Sequence, residues 1–409
     1  MSTAFQVKQQ ELHFFFSPRR RESMSADTSD HSIYLDNNAT TRPLPEVLNV
    51  MQRHFADSFA NPGSRHAAGR AARKVLEASR ESVAQILGAT PEELIFTSGG
   101  TESINLAIRG LVGTNPGTIA LPHGEHPATL EACRALQRRG WKLHFLDIDS
   151  EGRLVEDQLP HLPWEDLQLV SVMLAHNETG VIQDLGPLAA LCQQHRVPLH
   201  VDAVQAAGKI PVDFHALSVD AMSIGAHKFN GPRGIGGLLI KAERTLHPLI
   251  FGGHQEAERR PGTEPVALIA GMAAALEAFD ADPTSRFEQL QQLRDRLQAG
   301  LRERCPPVIV NGSQQHRLPN TLNIAFPGLE GDPLLIALDL EGIACSLGSA
   351  CASGSSEPAP VLVAMNCPSE VLDCSIRFSV GVGNTEAEMD DAVGRIAEVV
   401  NRMRDNCSL

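Results

Sequence analysis

The stretch Met222-Ser-Ile-Gly-Ala-His-Lys-Phe-Asn-Gly-Pro232 places a His-Lys pair between an apolar, strand-like run and a Gly-Pro turn. A lysine at the end of a buried strand is partly desolvated. Desolvation lowers the pKa of an ammonium and allows the amine to form a Schiff base with a carbonyl compound. The pair alone is weak evidence, because a lysine that caps a strand more often extends its ammonium into solvent. The interpretation of Lys228 therefore depends on a second observation.

Asp202 supplies that observation. It ends another apolar run, Val197-Pro-Leu-His-Val-Asp202, and precedes Lys228 by 26 residues (228 − 202 = 26). Pyridoxal phosphate needs a lysine for its aldehyde and a carboxylate that keeps its pyridine nitrogen protonated. Lys228 and Asp202 together predict a site for this cofactor.

Composition excludes several classes of protein. The chain has 409 residues, 42% of them hydrophobic, and a net charge of −14, which disfavours binding to nucleic acid. Its eight cysteines form no C-x-x-C pair, so we expect neither a disulfide framework nor a zinc site, and a reducing cytoplasm is the expected location. We find no apolar run of membrane-spanning length and expect no membrane partner.

Strand and helix patterns alternate from residue 36 to about 285, which predicts an α/β class with a mostly parallel sheet. We expect three regions: a mobile N-terminal extension at 1–31, in which Met24 is a second candidate start, a large cofactor-binding α/β domain at 32–285, and a smaller C-terminal α+β domain at 286–409. The predicted strands of the large domain are 94–97, 118–121, 143–147, 169–175, 197–202 and 221–226.

Polar residues follow the predicted strand ends, where ligands of parallel sheets bind. The Gly-rich turn Ser98-Gly-Gly-Thr-Glu-Ser-Ile-Asn105 opens a helix whose free N–H groups suit a phosphate. His126, Asn177 and Gln205 follow three other strands. We expect these side chains to meet at one edge of the sheet.

Ten segments between residues 34 and 379 resemble the motifs of a known family. The chain is similar to cysteine desulfurases of the NifS/IscS-like branch, within the class V aminotransferase group of fold-type I pyridoxal-phosphate enzymes. The segments that carry the resemblance are Tyr34-Leu-Asp-Asn-Asn-Ala-Thr-Thr41, Asn61-Pro-Gly-Ser-Arg-His66, Phe96-Thr-Ser-Gly-Gly-Thr-Glu-Ser103, Asn177-Glu-Thr-Gly180, Asp202-Ala-Val-Gln-Ala206, His227-Lys228, Gly252-Gly-His-Gln-Glu256, Gly262-Thr-Glu264, Gly348-Ser-Ala-Cys-Ala-Ser-Gly354 and Ser375-Ile-Arg-Phe-Ser379.

The resemblance implies a role for each matching residue. Lys228 would bind the cofactor aldehyde, Asp202 would pair with the pyridine nitrogen, and His126 would stack on the ring and take part in catalysis. Asn177 and Gln205 would bind the phenolic oxygen of the cofactor, and its phosphate would be bound by Gly100, Thr101 and His227. Thr263 would reach the phosphate of the other subunit of a homodimer. Asn38 and Arg377 would bind the substrate.

Cys351 separates this activity from that of a transaminase. It lies in a stretch of small residues, 348–356, which is typical of a loop rather than a packed helix. The resemblance implies that Cys351 takes the sulfur of L-cysteine as a persulfide, that L-alanine is released, and that the sulfur passes to an acceptor protein such as an iron-sulfur scaffold or a sulfur carrier. Cys345 is interpreted as structural.

Departures from the family pattern leave alternatives open. Gly225 stands where the family usually has a phosphate-binding serine, so Ser223 or water is a candidate replacement, and the glycine-rich stretch of the family is altered around Ala257-Glu-Arg-Arg-Pro261. A class V lyase or transaminase acting on another amino acid, such as selenocysteine, would use the same cofactor ligands without Cys351. A sulfur-carrier or assembly scaffold is a third reading.

Overall fold

The computed structural model describes residues 32–348 and 358–407. The predicted extension at 1–31 and Cys351 lie outside the described residues. From Ile33 onward the chain forms one compact unit. The predicted division at residue 285 stays a prediction.

The described elements alternate as the sequence pattern indicates. The strands are β1 (Ile33–Tyr34), β2 (Leu94–Thr97), β3 (Thr118–Pro122), β4 (Lys142–Leu146), β5 (Leu167–Met173), β6 (Leu199–Asp202), β7 (Ala221–Gly225), β8 (Gly236–Ile240), β9 (Ile309–Val310), β10 (Thr321–Ala325), β11 (Ile343–Ala344), β12 (Ser346–Leu347) and β13 (Ser375–Ser379). The helices are α1 (Pro45–Asp57), α2 (Ala67–Ile86), α3 (Gly100–Leu111), α4 (Pro127–Gln137), α5 (Gly186–His195), α6 (Val266–Asp280), α7 (Pro283–Arg304), α8 (Gly331–Leu340), α9 (Pro360–Ala364), α10 (Ser369–Leu372) and α11 (Glu386–Cys407).

A seven-stranded sheet forms the centre, in the order β2-β8-β7-β6-β5-β3-β4. Strands β7, β6, β5, β3 and β4 run parallel, whereas β8 is antiparallel to both β2 and β7. The predicted α/β class with a mostly parallel sheet is confirmed. Since the parallel strands all end at one edge, the polar residues after them are brought together there.

The antiparallel strand β8 escaped prediction because it begins with two glycines, which weaken any strand pattern. The packing explains them. A Cβ on Gly236 would lie 2.6 Å from the Ile224 carbonyl oxygen and 2.7 Å from the Cα of Gly99. Only glycine at this position allows the Gly-rich turn after β2 to lie against the sheet.

A second, antiparallel sheet has the order β12-β13-β10-β9, and β1 pairs in parallel with β11. Leu35, which follows β1, is fully buried with residues of α7, β13 and α11. The N-terminal strand therefore packs with C-terminal elements, across the predicted boundary. This pairing places the loop after β1 over the carboxyl edge of the central sheet, where it reaches the cavity described below.

None of the described helices is long and apolar enough to cross a membrane. Within the same residues, no group of three or more histidine, cysteine, aspartate or glutamate side chains is arranged to hold a metal ion.

Candidate active site

A cavity of about 700 Å³ opens at the carboxyl edge of the central sheet. Ten of the residues predicted from the sequence line it: Asn38, Gly100, Thr101, His126, Asn177, Asp202, Gln205, His227, Lys228 and Arg377. Thr263 is exposed and does not line the cavity of its own chain, and Cys351 lies outside the described residues.

Lys228 ends a single 3₁₀ turn, Ala226–Lys228, that follows directly on β7. Its Nζ donates to the backbone carbonyl oxygen of Asn38 at 2.6 Å and to that of Ala39 at 2.9 Å. Both carbonyls belong to the loop after β1. The loop therefore holds the amino group inside the cavity, at the position where a cofactor aldehyde would meet it.

Asp202 is the last residue of β6 and is 3% exposed. Its Oδ1 accepts from the backbone N–H of Val204 at 2.9 Å. Burial raises the pKa of Asp202 to about 6, an effect that the nearby Lys228 charge partly offsets. A buried carboxylate of this kind gains stability when a cationic group such as a pyridinium pairs with it.

The proposed phosphate site, called the cradle below, is formed by backbone N–H groups at the start of α3. Helix α3 begins at Gly100, so the free N–H groups of its first turn and its dipole face the cavity. A Cβ on Gly100 would lie 2.7 Å from Val204 Cγ2, which explains glycine there. A Cβ on Gly225 would lie 3.4 Å from the Gly100 nitrogen, in ordinary contact. The serine that the family usually has would therefore reach the same cradle.

Ser223 does not replace that missing serine. It is fully buried in β7, and its Oγ lies 2.9 Å from Nε2 of His200, whose Nδ1 lies 2.8 Å from Ser171 Oγ. This chain of contacts is internal to the sheet, and Ser223 does not line the cavity. The suggestion that Ser223 substitutes for the serine at 225 was wrong. Gly225 ends β7, whereas Ser223 lies two residues further from that end, and its hydroxyl contacts His200.

Two histidines line the cavity in neutral form. His126 is the N-cap of α4, and its Nδ1 accepts from the backbone N–H of Ala128 at 3.0 Å. Burial, and then the Lys228 charge, lower the pKa of His126 to about 4. In His227, burial and the charges of Lys228, Arg233 and Lys209 lower the pKa to about 4. With Nδ1 of His126 accepting, its Nε2 carries the proton and can donate into the cavity.

The amide of Asn38 is saturated by protein groups. Its Nδ2 donates to the Asn177 carbonyl oxygen and to Thr321 Oγ1, while its Oδ1 accepts from Lys209 Nζ and Asn320 Nδ2. Asn38 is 1% exposed. Its side chain therefore organises the cavity wall. A direct contact of this amide with substrate would require one of these bonds to break.

Arg377 lies between two carboxylates. Its NH2 group donates to Asp36 Oδ1 at 2.8 Å and its NH1 group to Glu178 Oε1 at 2.7 Å. The guanidinium is buried, and Asn177 Nδ2 also donates to Glu178 Oε1, at 2.6 Å. Burial raises the pKa of Glu178, and the Arg377 charge opposes that rise. The resemblance gave Arg377 a substrate carboxylate; in this structure protein carboxylates hold it in place.

Sequence reasoning missed two buried ionisable residues beside the site. Glu125 accepts from the backbone N–H of Met173 at 2.7 Å, and burial together with the Asp202 charge raises its pKa well above the usual range. Lys209 donates to Asn38 and Gln205. Two sequence signals could have found them. Glu125 directly precedes His126, and Lys209 follows Gln205 by four residues, a spacing that brings two side chains to the same side of a helical turn.

These residues fit pyridoxal phosphate. The cavity offers a lysine amine, a buried carboxylate that lacks a protein cation as its direct partner among the described ion pairs, and a glycine cradle at a helix N-terminus. Lys228, Asp202 and the α3 N-terminus would hold the aldehyde, the pyridine nitrogen and the phosphate respectively.

Comparisons with known proteins agree with this arrangement. The aminotransferase class-V family matches residues 33–391. The chain is 40% identical to a cysteine desulfurase IscS of Dictyoglomus turgidum, over 91% of this chain and 95% of that protein. It is 39% identical to the cysteine desulfurase NifS of Azotobacter vinelandii, over 91% of this chain and 94% of the relative.

Among solved structures, a NifS-like protein superimposes with a TM-score of 0.85 at 35% identity, covering 91% of this chain and all of the other. A structure described as SspA in complex with cysteine gives a TM-score of 0.76 at 30% identity, over 85% of this chain and 98% of that one. These likenesses confirm the fold-type I architecture. Given a family match over most of its length and relatives about 40% identical, this chain belongs to the aminotransferase class-V family, in its cysteine desulfurase group, with pyridoxal phosphate as cofactor.

Proposed function

We propose that this protein is a pyridoxal-phosphate-dependent cysteine desulfurase that takes sulfur from L-cysteine as a persulfide on Cys351 and releases L-alanine. The observation that carries the proposal is one cavity in which Lys228, Asp202 and Arg377 meet. The first two suit the cofactor, and the third suits the carboxylate of an amino acid. The cysteine desulfurases among its relatives supply the choice of substrate.

Bound in this cavity, pyridoxal phosphate supplies an electron sink for negative charge that develops at Cα of an amino acid. Asp202 would hold the pyridine nitrogen in its protonated form. The Asn38 and Ala39 carbonyl oxygens orient Nζ of Lys228. This amine would move the Cα proton of the substrate. With Nδ1 of His126 accepting from Ala128, its Nε2 proton would be the donor to the substrate.

Substrate binding at Arg377 requires an exchange of carboxylates. Of its two partners, the Asp36 side chain is 18% exposed and that of Glu178 is 5% exposed. We infer that the substrate carboxylate takes the place of Asp36, because the more exposed partner loses less when it returns to water. Glu178 then keeps the guanidinium oriented.

The described chain reaches the cavity shortly before Cys351 in the sequence. Ser346 and Leu347 of β12 both line it, and the described chain stops at Gly348, three residues before Cys351. Three residues span at most about 11 Å. In the proposed step Cys351 Sγ attacks the sulfur of L-cysteine, a sulfur–sulfur bond forms, and the carbon–sulfur bond breaks. The electron pair stays on carbon, which takes a proton and becomes alanine.

Six other cysteines, Cys133, Cys192, Cys305, Cys345, Cys367 and Cys374, are poor competitors for this role. Burial raises the pKa of Cys345 to about 12 and that of Cys133 to about 12, and it also raises those of Cys192, Cys305, Cys367 and Cys374. A thiol must ionise to act as a nucleophile, so a raised pKa lowers the reactivity of each of these groups near neutral pH. This supports Cys351 as the sulfur acceptor and Cys345 as structural.

We further propose a cytoplasmic homodimer that passes its sulfur to a protein acceptor, as in iron-sulfur cluster assembly. Thr263 is exposed on a segment that begins beside Phe251, an 85% exposed aromatic residue. Thr263 is thus accessible to a second subunit, whose phosphate site it would complete as the resemblance implies. Light scattering of the purified protein tests the dimer.

The other readings have less support. The relatives described above are cysteine desulfurases. They give no support to a transaminase or lyase for another amino acid, or to a sulfur-carrier or assembly scaffold whose docking matters more than its turnover. Alanine release from L-cysteine separates the three functions.

The test compares Cys351→Ser with the matched control Cys345→Ser. We expect Cys351→Ser to bind the cofactor and substrate but to form no alanine and no persulfide, because a hydroxyl is a much poorer nucleophile than a thiolate. Cys345→Ser should keep wild-type turnover. Alanine and the persulfide mass on the peptide that holds Cys351 are measured together. Wild-type alanine production by Cys351→Ser would refute the proposal.

A further inference from the structure

Lys209 is a buried lysine that the reaction described above does not use. It lies seven residues after Asp202 and is 4% exposed. Its Nζ donates to Asn38 Oδ1 at 2.9 Å and to Gln205 Oε1 at 2.5 Å. Both acceptors are amide oxygens. Among the described residues no carboxylate forms an ion pair with Lys209.

These two contacts decide how the amides point. Because Lys209 binds the oxygen of Gln205, the Nε2 of that side chain faces the other way and donates to the Asn38 carbonyl oxygen at 2.9 Å. The same carbonyl accepts from Lys228 Nζ at 2.6 Å. A continuous set of hydrogen bonds therefore runs from Lys209 through Gln205 and Asn38 to the reactive lysine.

Two cationic side chains, Lys228 and Arg377, act on the ammonium of Lys209. Burial, followed by the charges of Lys228 and Arg377, lowers the pKa of Lys209 well below its usual range. An ammonium in this place becomes favourable when an anion enters the cavity. The cofactor carries a phosphate and a phenolic oxygen, and Gln205 would be one of the residues that bind the latter, so the cofactor would provide that anion.

We propose that Lys209 is a positioning residue for Lys228: it fixes the amides of Asn38 and Gln205 and adds a buried positive charge to a cavity that binds an anionic cofactor. The inference rests on the proposed function through the assignment of Lys228 as the cofactor lysine. Lys209 itself forms no bond to substrate.

The first measurement is a pH titration of the absorbance band of the Lys228–cofactor linkage in wild type and Lys209→Met. Loss of a nearby cation favours the protonated form of that linkage, so the midpoint should rise by roughly one pH unit. A second measurement is the affinity of the apoprotein for pyridoxal phosphate. We expect it to fall at least about tenfold, because two buried amide oxygens lose their donor.

A double-mutant cycle with Gln205→Leu tests the route. If Lys209 acts through Gln205, adding Lys209→Met to Gln205→Leu should weaken cofactor binding much less than it does in wild type. Equal effects in both backgrounds would overturn this route. A purely structural lysine would lower the thermal stability of the apoprotein and leave the midpoint of the titration unchanged, which would also overturn the inference.

Lys209→Gln is a second variant for the case that Lys209→Met does not fold. It keeps a neutral hydrogen-bond donor, so the same rise in midpoint is expected with a smaller loss of affinity. Lys228→Ala separates the two proposals. If Lys228→Ala keeps the band, the proposed function and this inference both fail. If it loses the band while both Lys209 variants titrate as wild type, only this inference fails.

Discussion

Asp202→Asn is expected to make the apoprotein more stable while it removes most of the activity. Burial raises the pKa of Asp202 from 3.8 to about 6 in the folded protein. The ionised carboxylate is therefore less favourable folded than unfolded. The asparagine is nearly isosteric, and its Oδ1 can still accept from the Val204 N–H.

The size of the gain follows from linkage. A difference of about 2.2 pH units (6 − 3.8), at about 1.36 kcal/mol per unit, corresponds to about 3 kcal/mol. Because the pKa of Asp202 is raised in the folded protein, the free energy of unfolding falls as the pH rises from about 3.8 to about 6. Above about pH 6 it stays at the lower value. Asp202→Asn removes this loss, so its advantage should be full at pH 8 and should shrink below pH 6.

The assay is urea-induced unfolding of the apoproteins at pH 8 and pH 5.5, with steady-state kinetics of the loaded enzymes. We expect kcat to fall at least about a hundredfold, or roughly 3 kcal/mol of barrier, because an amide cannot hold the pyridinium charge. Asp220→Asn is a matched control that should lower the free energy of unfolding, since Asp220 is paired with Arg244 at 2.9 Å and Lys241 at 3.6 Å. An Asp202→Asn apoprotein no more stable than wild type at pH 8 would refute the electrostatic argument.

Three further predictions concern single positions. Lys228→Ala should abolish both turnover and the absorbance band of the lysine–cofactor linkage, and a variant that keeps the band would exclude this lysine. Gly225→Ser should tighten cofactor binding by about 2- to 12-fold through one added hydrogen bond near the Gly100 nitrogen, whereas Gly225→Ala should not; equal affinities for both variants would contradict the cradle. Glu258→Gly should stabilise the protein by about 0.5–1 kcal/mol, because Glu258 has φ +65°; Glu258→Ala keeps the strain and should show no gain in chemical denaturation.

The strand ends were predictable from the sequence. The predicted strands at 94–97 and 118–121 match β2 and β3 within one residue, and the residues after β2, β6 and β7 line the cavity as expected. Short, fully apolar runs followed by polar residues are a local pattern, and parallel strands bring their ends to one edge whatever the order of the strands.

The contacts at Arg377 were not predictable in this way. Asp36 and Glu178 lie about 340 and 200 residues from it along the chain, and their pairing depends on how β1 and the C-terminal sheet meet the central sheet. The pairing of β1 with β11 is of the same kind. No local pattern encodes a partner at that distance.

The sequence by itself determined the class of fold through its apolar periodicity, and through its resemblance to a family it pointed to ten residues that line the cavity. Both are read from local stretches of the chain. Only the tertiary structure decided the state of those residues. Burial raises the pKa of Asp202 and lowers that of His126. The packing of the loop after β1 directs the Asn38 carbonyl oxygen to Lys228 and the Asn38 side-chain oxygen to Lys209. Desolvation and hydrogen-bond direction depend on neighbours that are distant in sequence, so they exist only once the chain has folded.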